Sequence, residues 1–298
     1  MKTFYSNGKL LLTGEYVVLD GALALAIPTK KGQLLKVEES TEKGIHWKSL
    51  DENGSPWFEA SFNVHDAVSE RENRILFILL KILREAQNLN TSFLAEEAIR
   101  VTTQLTFPRN WGLGTSSTLI NNIAQWAKVD AFQLLKNSFG GSGYDIAAAQ
   151  HSTPILFQLY NGKPTAKEIQ LHWDFKAHLF FVHLNQKQDS LEGIAHYKSK
   201  NITSEIIKEI SSITQALYQC TSIDEFEKLL ELHELILSRA LHKPTVKEKL
   251  FKDYPRAIKS LGAWGGDFIL ATGTKEAQAY FREKGYTTLL PFEEMILK

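Results

Sequence analysis

The amino-acid sequence predicts an α+β protein built from two domains. The chain has 298 residues, which exceeds the usual size of one domain. Its first part consists mainly of short apolar runs separated by turn residues, a pattern typical of a sheet. From His178 onward, apolar strands alternate with amphipathic helices, which indicates a compact α/β sandwich of the ferredoxin-like type. We place the boundary near residue 175, so the predicted domains span residues 1–175 and 176–298.

The predicted N-terminal domain begins with strands. Residues 9–32 are punctuated by Gly14 and by Asp20-Gly21, a dipeptide that favours a two-residue hairpin turn. Further apolar runs extend an antiparallel sheet with strands at 33–37, 45–50 and 57–62. Residues 74–87 are apolar around most of a helix circumference and therefore predict a buried helix. Residues 98–106 alternate in polarity, which predicts a strand leading into a glycine-rich loop.

The remaining elements follow from the same periodicities. The first domain is completed by helices after the loop, at 130–138 and 144–150, and by strands at 155–159 and 167–171. The second domain is predicted to contain a strand from His178, a helix from Asp189, helices at 204–220 and 223–238, a strand at 268–272, a helix from Lys275 and a last strand near Thr287.

Composition limits the classes of partner. Lysine plus arginine total 34, and so do aspartate plus glutamate. A net charge of zero gives no electrostatic reason to expect a nucleic-acid or membrane partner, so we expect a small molecule. The single cysteine, Cys220, excludes a disulfide framework, and no apolar run reaches the length of a membrane span. We expect a soluble cytoplasmic protein, and the sequence leaves open whether it forms a homodimer.

The strongest chemical signal lies in residues 107–128, FPRNWGLGTSSTLINNIAQWAK. Gly112 and Gly114 allow the backbone to curl, and the four hydroxyl residues Thr115 to Thr118 open a helix. Unpaired N–H groups and the helix dipole make such a terminus suitable for a phosphate chain. The alternative is an N-capping run, because serine and threonine are favoured caps.

Several common motifs are incomplete. The chain contains no Walker-type phosphate loop, no complete G-x-G-x-x-G after a strand and no nucleophile elbow. His233-Glu234 begins a zinc-protease motif, but Leu237 stands where the second histidine is needed. A metal hydrolase is therefore not expected.

Three other clusters combine glycine with a charged residue. Gly8-Lys9 with Gly14-Glu15 also fits an ordinary strand start with a turn. Residues 140–145, GGSGYD, place Asp145 after flexible backbone, although an acid near a helix start is also favoured by the dipole. Residues 262–267, GAWGGD, precede a strand and also fit a loop that needs positive φ.

Together, Lys9 with GEYVVLDG, PRNWGLGTSS, GSGYDIAAAQ and LGAWGGD resemble the GHMP small-molecule kinases in order and approximate spacing. This family is named for galactose, homoserine, mevalonate and phosphomevalonate, and the segments GEY, GSGYD and GGD are most similar to its phosphomevalonate and mevalonate branch. The resemblance implies a two-domain fold, with an N-terminal domain like a ribosomal-protein domain and a ferredoxin-like C-terminal domain. It also implies ATP, Mg²⁺ and phosphoryl transfer to a small acceptor in the crevice between the domains.

The resemblance assigns roles to residues. Lys9 and Asp145 would be catalytic, facing the transferring phosphoryl group and the acceptor, and Ser116 would be a metal ligand. The nucleotide would be bound by Gly112, Leu113, Gly114, Thr115, Ser116 and Ser117, and the substrate by Glu15, Tyr144, Gly265, Gly266 and Asp267.

Two departures from the family are visible. Many relatives carry a glutamate as a second magnesium ligand before the catalytic acid, whereas residues 134–138 contain none and Asp130 is a weak substitute. Trp264 stands where relatives usually have glycine. Arg109, Lys187 and Arg256 are candidate anion contacts, although each fits a solvated surface position as well.

We expect phosphomevalonate or mevalonate as the acceptor. A sugar or homoserine remains an alternative, as does a catalytically silent relative that only binds its ligand. An RNA-binding module rests on fold analogy alone, and zero net charge disfavours it.

Overall fold

A computed structural model describes residues 1–95, 98–186, 190–262, 264 and 266–297. The fold is α+β, with one larger sheet and one separate four-stranded antiparallel sheet among the described residues, which confirms the predicted class. The chain divides into two compact units. The first unit comprises Met1–Gly8, Lys31–Arg109 and Leu113–Gln150, and the second comprises Lys9–Lys30, Asn110–Gly112 and His151–Lys298. The division near residue 175 stays a prediction.

The strands of the N-terminal part are β1 (Lys2–Thr13), β2 (Ala24–Glu39), β3 (Gly44–Leu50), β4 (Pro56–Phe62) and β5 (Ala98–Leu105). Strands β1 and β2 contribute residues to both units, and in the first unit the order is β4-β3-β5-β2. Strands β3 and β5 are parallel, with Ile45 opposite Ile99, so the prediction of an antiparallel sheet is wrong for this pair. A parallel pair needs a long crossover, which the helix before β5 supplies.

That helix is α1 (Arg74–Leu89), and it begins where the Asn73 side chain accepts a hydrogen bond from the Leu76 amide. It is followed by α2 (Thr115–Ala127), α3 (Ala131–Ser138) and α4 (Tyr144–Gln150). The four predicted helices are therefore present. Their apolar faces pack with β3 and β5 in one core, which includes Trp47, Leu83, Val101, Ile120 and Leu134.

The second unit contains the remaining elements. In the larger sheet, β2 pairs with β6 (Ile155–Tyr160), which pairs with β7 (Lys163–Glu168). The small sheet has the order β11-β8-β10-β9, with β8 (Leu179–His183), β9 (Ile258–Ser260), β10 (Phe268–Thr272) and β11 (Leu289–Pro291). The helices are α5 (Ser190–Lys198), α6 (Ser204–Gln219), α7 (Ile223–Leu241), α8 (Val246–Leu250), α9 (Ala277–Glu283) and α10 (Phe292–Met295).

Two turns differ from the sequence prediction. Asp20-Gly21 does not form a hairpin turn; residues Val17–Asp20 form a 3-10 turn that ends at Gly21 with φ 88°. Val17 and Val18 are buried there, so apolar packing overrides the local turn signal. The second difference is a hairpin turn at Asn161-Gly162, with φ 50° and 72°, which joins β6 to β7. The last strand of this hairpin therefore begins earlier than the predicted strand at residues 167–171.

In the described part of the chain, no helix has both the length and the apolar character that crossing a bilayer requires.

Candidate active site

Three segments singled out in the sequence meet at Gly112 in the second unit. The Lys9 ammonium, on β1, donates a hydrogen bond to the Gly112 carbonyl oxygen at 3.0 Å. The Asp267 side chain lies against the same residue, because a Cβ at Gly112 would overlap its carboxylate and lie 2.9 Å from its Cβ. A lysine, the glycine loop and the late glycine cluster are therefore brought to one place.

The segment Asn110–Gly112 is held by aromatic and polar contacts. The Trp111 ring meets the Phe268 ring edge-on, with centroids 5.3 Å apart. The buried His183 places its Nε2 3.2 Å from the Asn110 carbonyl oxygen. Since Phe268 and His183 belong to β10 and β8, the small sheet fixes the approach to Gly112.

Asp267 is positioned by its backbone. Its N–H donates to the Gln186 carbonyl, and its own carbonyl accepts from the Leu184 N–H. Asp267 and Trp264 have φ values of 45° and 23°, in the left-handed region that side chains seldom adopt. Such strain accumulates at functional sites. Gly266 is buried in this loop, whereas Gly265 lies outside the described residues.

In the first unit, the start of α2 bears on the capping alternative left by the sequence. Gly114 is the N-cap residue, with φ 93°, and no side chain caps the helix. The Ser117 hydroxyl donates to the Gly114 carbonyl at 3.0 Å instead of accepting from a first-turn N–H. The run of hydroxyl residues is thus not a capping run, and the helix start keeps the features of an anion site.

The predicted nucleotide residues differ in exposure. Ser116 is exposed and Thr115 is half-buried, so both hydroxyls lie at the surface of the first unit. The Leu113 and Ser117 side chains are buried. Leu113 is 0% exposed, so the whole residue is enclosed by protein.

Asp145 lies in the first turn of α4 and is half-buried, as is Tyr144 beside it. The preceding Gly143 has φ 86°, and a Cβ there would lie 2.9 Å from the Phe132 ring, so glycine permits the close approach of α4 to α3. At the other end of α4, the Gln150 amide donates to the Asn121 side-chain oxygen at 3.0 Å. This bond ties the helix of Asp145 to α2.

Asp130 caps α3, where its carboxylate accepts from the Phe132 and Gln133 amides. Among the residues that the structure describes, no three His, Cys, Asp or Glu side chains are grouped as a metal cage. Mg²⁺ is usually held by one or two carboxylates together with substrate phosphates. The Asp130 carboxylate is engaged as a helix cap in this structure.

Glu15 lies in a buried charged cluster. Its carboxylate forms an ion pair with Lys259, whose ammonium also lies 3.1 Å from Glu234 Oε1. His233 Nε2 accepts from the Gly14 N–H at 3.0 Å and lies 3.5 Å from the Glu15 carboxylate. Because Glu15 is 0% exposed, its position favours a structural role over the substrate contact that the sequence suggested.

The sequence did not single out Lys259, and it showed His233-Glu234 only as a broken zinc motif. The three-residue strand β9, which carries Lys259, also escaped prediction. Nothing in its local pattern distinguishes a buried lysine from a solvated one.

Burial controls the protonation of this cluster. It raises the pKa of Glu15 to about 7, although the Lys259 charge opposes the shift. Burial and the Lys259 charge hold the pKa of His233 well below its ordinary value. Burial lowers the pKa of Lys259, but the Glu15 and Glu234 carboxylates outweigh that effect and raise it overall. At neutral pH the lysine is charged and the imidazole is neutral.

These shifts predict how the free energy of unfolding changes with pH. The raised pKa of Glu15 gives stability that is lost as pH rises from 4.5 through about 7. The lowered pKa of His233 gives stability that is lost as pH falls below 6.5. Between pH 4.5 and 6.5 the two contributions change stability in opposite directions as pH rises. From pH 6.5 to about 7 only the loss of stability due to Glu15 continues.

Glu15→Gln removes the Glu15 contribution. The difference in unfolding free energy between wild type and variant is expected to fall by about 3 kcal/mol as pH rises from 4.5 to above 7. Urea titrations at several pH values measure this difference. A difference that stays constant with pH would show that Glu15 titrates normally.

The remaining candidate anion contacts have protein partners or fall outside the description. The Arg109 guanidinium lies over the Trp57 ring, 3.7 Å from its centroid. Arg256 Nε donates to Glu227 at 2.8 Å. Lys187 lies outside the described residues.

Solved kinase structures share this fold. The mevalonate kinase of Methanococcus jannaschii has a TM-score of 0.72 at 14% identity, covering 97% of this chain and 96% of that chain. The phosphomevalonate kinase of Streptococcus pneumoniae, in complex with phosphomevalonate and AMPPNP, has a TM-score of 0.71 at 15% identity, covering 97% and 99%. The galactokinase of Lactococcus lactis, complexed with galactose, has a TM-score of 0.70 at 13% identity, covering 99% and 93%.

No protein-family model matches the chain, and no curated protein matches its sequence. At these identities the structural likeness concerns the fold. The chain has the two-domain α+β fold of the GHMP kinases, which confirms the fold that the resemblance implied.

Proposed function

We propose that this protein is an ATP-dependent small-molecule kinase that transfers the γ-phosphoryl group to phosphomevalonate or mevalonate. The observation that carries the proposal is the meeting of Lys9, Gly112 and Asp267, three residues from separate motifs of the GHMP pattern. The fold shared with kinases that act on such acceptors supports it.

The residues of the glycine loop fit the phosphates of ATP. Gly112 and Gly114 have φ values of 64° and 93°, which curl the backbone as an anion cradle requires. The start of α2 adds N–H groups without a side-chain cap and the positive end of a 13-residue helix. Thr115, Ser116 and Ser117 would complete the loop, whereas Leu113 is enclosed by protein and would support it from within.

Ser116 would hold Mg²⁺ through its exposed hydroxyl, with the remaining ligands coming from the nucleotide and water. When bound, the ion neutralises charge on the β and γ phosphates.

Phosphoryl transfer depends on positioning and charge neutralisation more than on covalent chemistry. Lys9 would stabilise negative charge on the transferring group, and its bond to the Gly112 carbonyl orients its ammonium toward the loop. Asp145 would accept the proton of an acceptor hydroxyl or orient the acceptor. Tyr144, Gly266 and Asp267 would contact the acceptor. Glu15 is left out because it is enclosed by protein.

The acceptor is the finer part of the proposal. Neighbours that act on mevalonate, phosphomevalonate and galactose have similar TM-scores, so the fold alone does not choose among them. The segments GEY, GSGYD and GGD favour the mevalonate branch. A sugar or homoserine is the alternative.

A coupled ADP-release assay tests the proposal. Mevalonate, phosphomevalonate, homoserine and a few sugars are offered with ATP and Mg²⁺, and each is also assayed with Mg²⁺ omitted. We expect ADP release that depends on one of the first two acceptors. ADP release that depends on a sugar would support kinase activity but contradict the proposed acceptor. ATP binding without ADP release for any acceptor would support a catalytically silent relative that only binds its ligand.

A further inference from the structure

We propose that the buried cluster of Glu15, Lys259, Glu234 and His233 is a positioning device that keeps Lys9 and Asp267 in register around Gly112. The expected effect on kcat rests on the proposed kinase function. The expected effect on the backbone around Lys9 and Asp267 does not, and it is tested separately.

The argument begins with connectivity. Glu15 follows the end of β1, the strand that carries Lys9, and Lys259 lies in β9, which precedes Asp267 in the chain. The ion pair between Glu15 and Lys259 therefore joins the same two segments that meet again where Lys9 and Asp267 contact Gly112. Two segments joined at two points cannot slide past each other without breaking one contact.

The cluster also joins both segments to α7. The Gly14 N–H donates to His233 Nε2, and the Ser260 hydroxyl donates to Glu234 Oε2 at 2.8 Å. His233 and Glu234 are consecutive on α7, so this helix holds the turn after β1 and the end of β9 side by side. The two residues that began a broken zinc motif thus serve as the common anchor.

The energetics indicate that the buried cluster orients the backbone segments it joins and does not mainly stabilise the fold. The side chains of Glu15, Lys259 and His233 are 0% exposed, and that of Glu234 is 4% exposed. Removing such charges from water is costly, and apolar replacement of a buried ion pair is often neutral or stabilising. Charged hydrogen bonds, however, are directional, so the cluster selects one arrangement of the backbone.

The facing groups leave little freedom. The Lys259 ammonium donates to the Glu15 carboxylate and to the Ser260 carbonyl, the latter at 2.6 Å, and it forms an ion pair with Glu234 Oε1 at 3.1 Å. Two of the three N–H donors of the lysine are used in these hydrogen bonds, and two carboxylates lie beside its charge. A change of register would leave at least one charge unpaired.

The kinetic test uses a neutral triple variant, Glu15→Gln, Glu234→Gln and Lys259→Met. Removing all three charged groups avoids the two unpaired buried carboxylates that Lys259→Met alone would leave. We expect a denaturation midpoint close to that of wild type, with kcat lowered about ten- to hundredfold because Lys9 is misplaced. The KM for ATP should change much less than kcat. A stable triple variant with wild-type kcat would overturn the positioning role.

Lys247→Met is the matched control. Lys247 pairs with Glu231 at 3.0 Å on the surface of the same unit, so the same substitution removes an exposed ion pair. Its kcat and stability are expected to stay at the wild-type level.

The structural test is hydrogen exchange on the ligand-free protein with the single variant Glu15→Gln, the change closest in shape. In this variant, amides in residues 9–14 and 261–268 are expected to exchange faster than in wild type, whereas amides in the rest of the second unit keep their wild-type exchange rates. In Lys247→Met, all amides are expected to exchange at wild-type rates. Unaltered exchange in both segments, or equal acceleration throughout the unit, would contradict the proposal. If no acceptor supports ADP release, the kinase function fails and this measurement still decides the role of the cluster.

Discussion

Replacing Asp145 by Asn is expected to raise the barrier for transfer to an alcohol by about 3 to 5 kcal/mol, because a general base is lost while the shape is kept. With a phosphomonoester acceptor the loss should be clearly smaller, since that acceptor is already an anion near neutral pH and needs no base. Asp145 is half-buried at the start of α4, where a carboxylate is accessible to a ligand.

Turnover of this variant on mevalonate and on phosphomevalonate provides the measurement. A large loss on the alcohol alone identifies Asp145 as a base. Equal, small losses on both acceptors would remove Asp145 from the chemistry.

Asp130→Asn is the matched control in the same unit. Asp130 caps α3 by accepting two amide hydrogen bonds, and asparagine caps a helix about as well. We expect no change in turnover or in stability. A loss of activity whose severity depends on Mg²⁺ concentration would instead make Asp130 a magnesium ligand, the substitute role that the missing glutamate suggested.

The sequence predicted the parts of the site that local chemistry specifies. Glycines before a helix and a hydroxyl run located the start of α2, because tolerance of positive φ is a property of glycine itself. That the hydroxyl groups leave the helix uncapped became clear only from the structure. The same holds for α1, whose apolar circumference gave its bounds to within two residues at its end. The family motifs then selected Lys9 and Asp267, which the structure brings to Gly112.

Other features depend on tertiary packing and left no local signal. The parallel pairing of β3 with β5 depends on where α1 returns the chain, and the 3-10 turn at Val17–Asp20 depends on the burial of its valines. The partners of Glu15 lie far along the chain, on β9 and α7. A buried lysine is recognised only once its carboxylates are in place.

Replacing Gly112 by Ala is expected to lower kcat/KM for ATP about a hundredfold, because the new methyl group displaces groups at the proposed phosphate site. Gly112 has φ 64°, which strains an alanine by about 1 to 2 kcal/mol. The added Cβ would also overlap the Asp267 carboxylate. Since backbone hydrogen bonds on both sides hold Asp267, either its side chain rotates away or the Gly112 turn moves and its bond to Lys9 is lost.

Gly54→Ala separates backbone strain from the overlap. Gly54 has φ 80°, and a Cβ there would meet no atom within 4 Å. This variant therefore carries a similar strain in an open turn, and we expect a modest loss of stability with unchanged kinetics. If Gly112→Ala loses no more activity than Gly54→Ala, the close contact between Gly112 and Asp267 does not contribute to activity.

A double-mutant cycle then identifies the overlapping group. Asp267→Gly removes the atoms that the new Cβ would meet, and its φ of 45° suits glycine. Asp267→Gly alone is expected to weaken acceptor binding, because Asp267 is a proposed acceptor contact. If the overlap causes the loss, adding Gly112→Ala to Asp267→Gly should cost far less than adding it to wild type. If the effects of the two substitutions on kcat/KM are fully additive, the loss comes from a shift of the Gly112 backbone. Gly112 would then be needed to keep its hydrogen bond with Lys9.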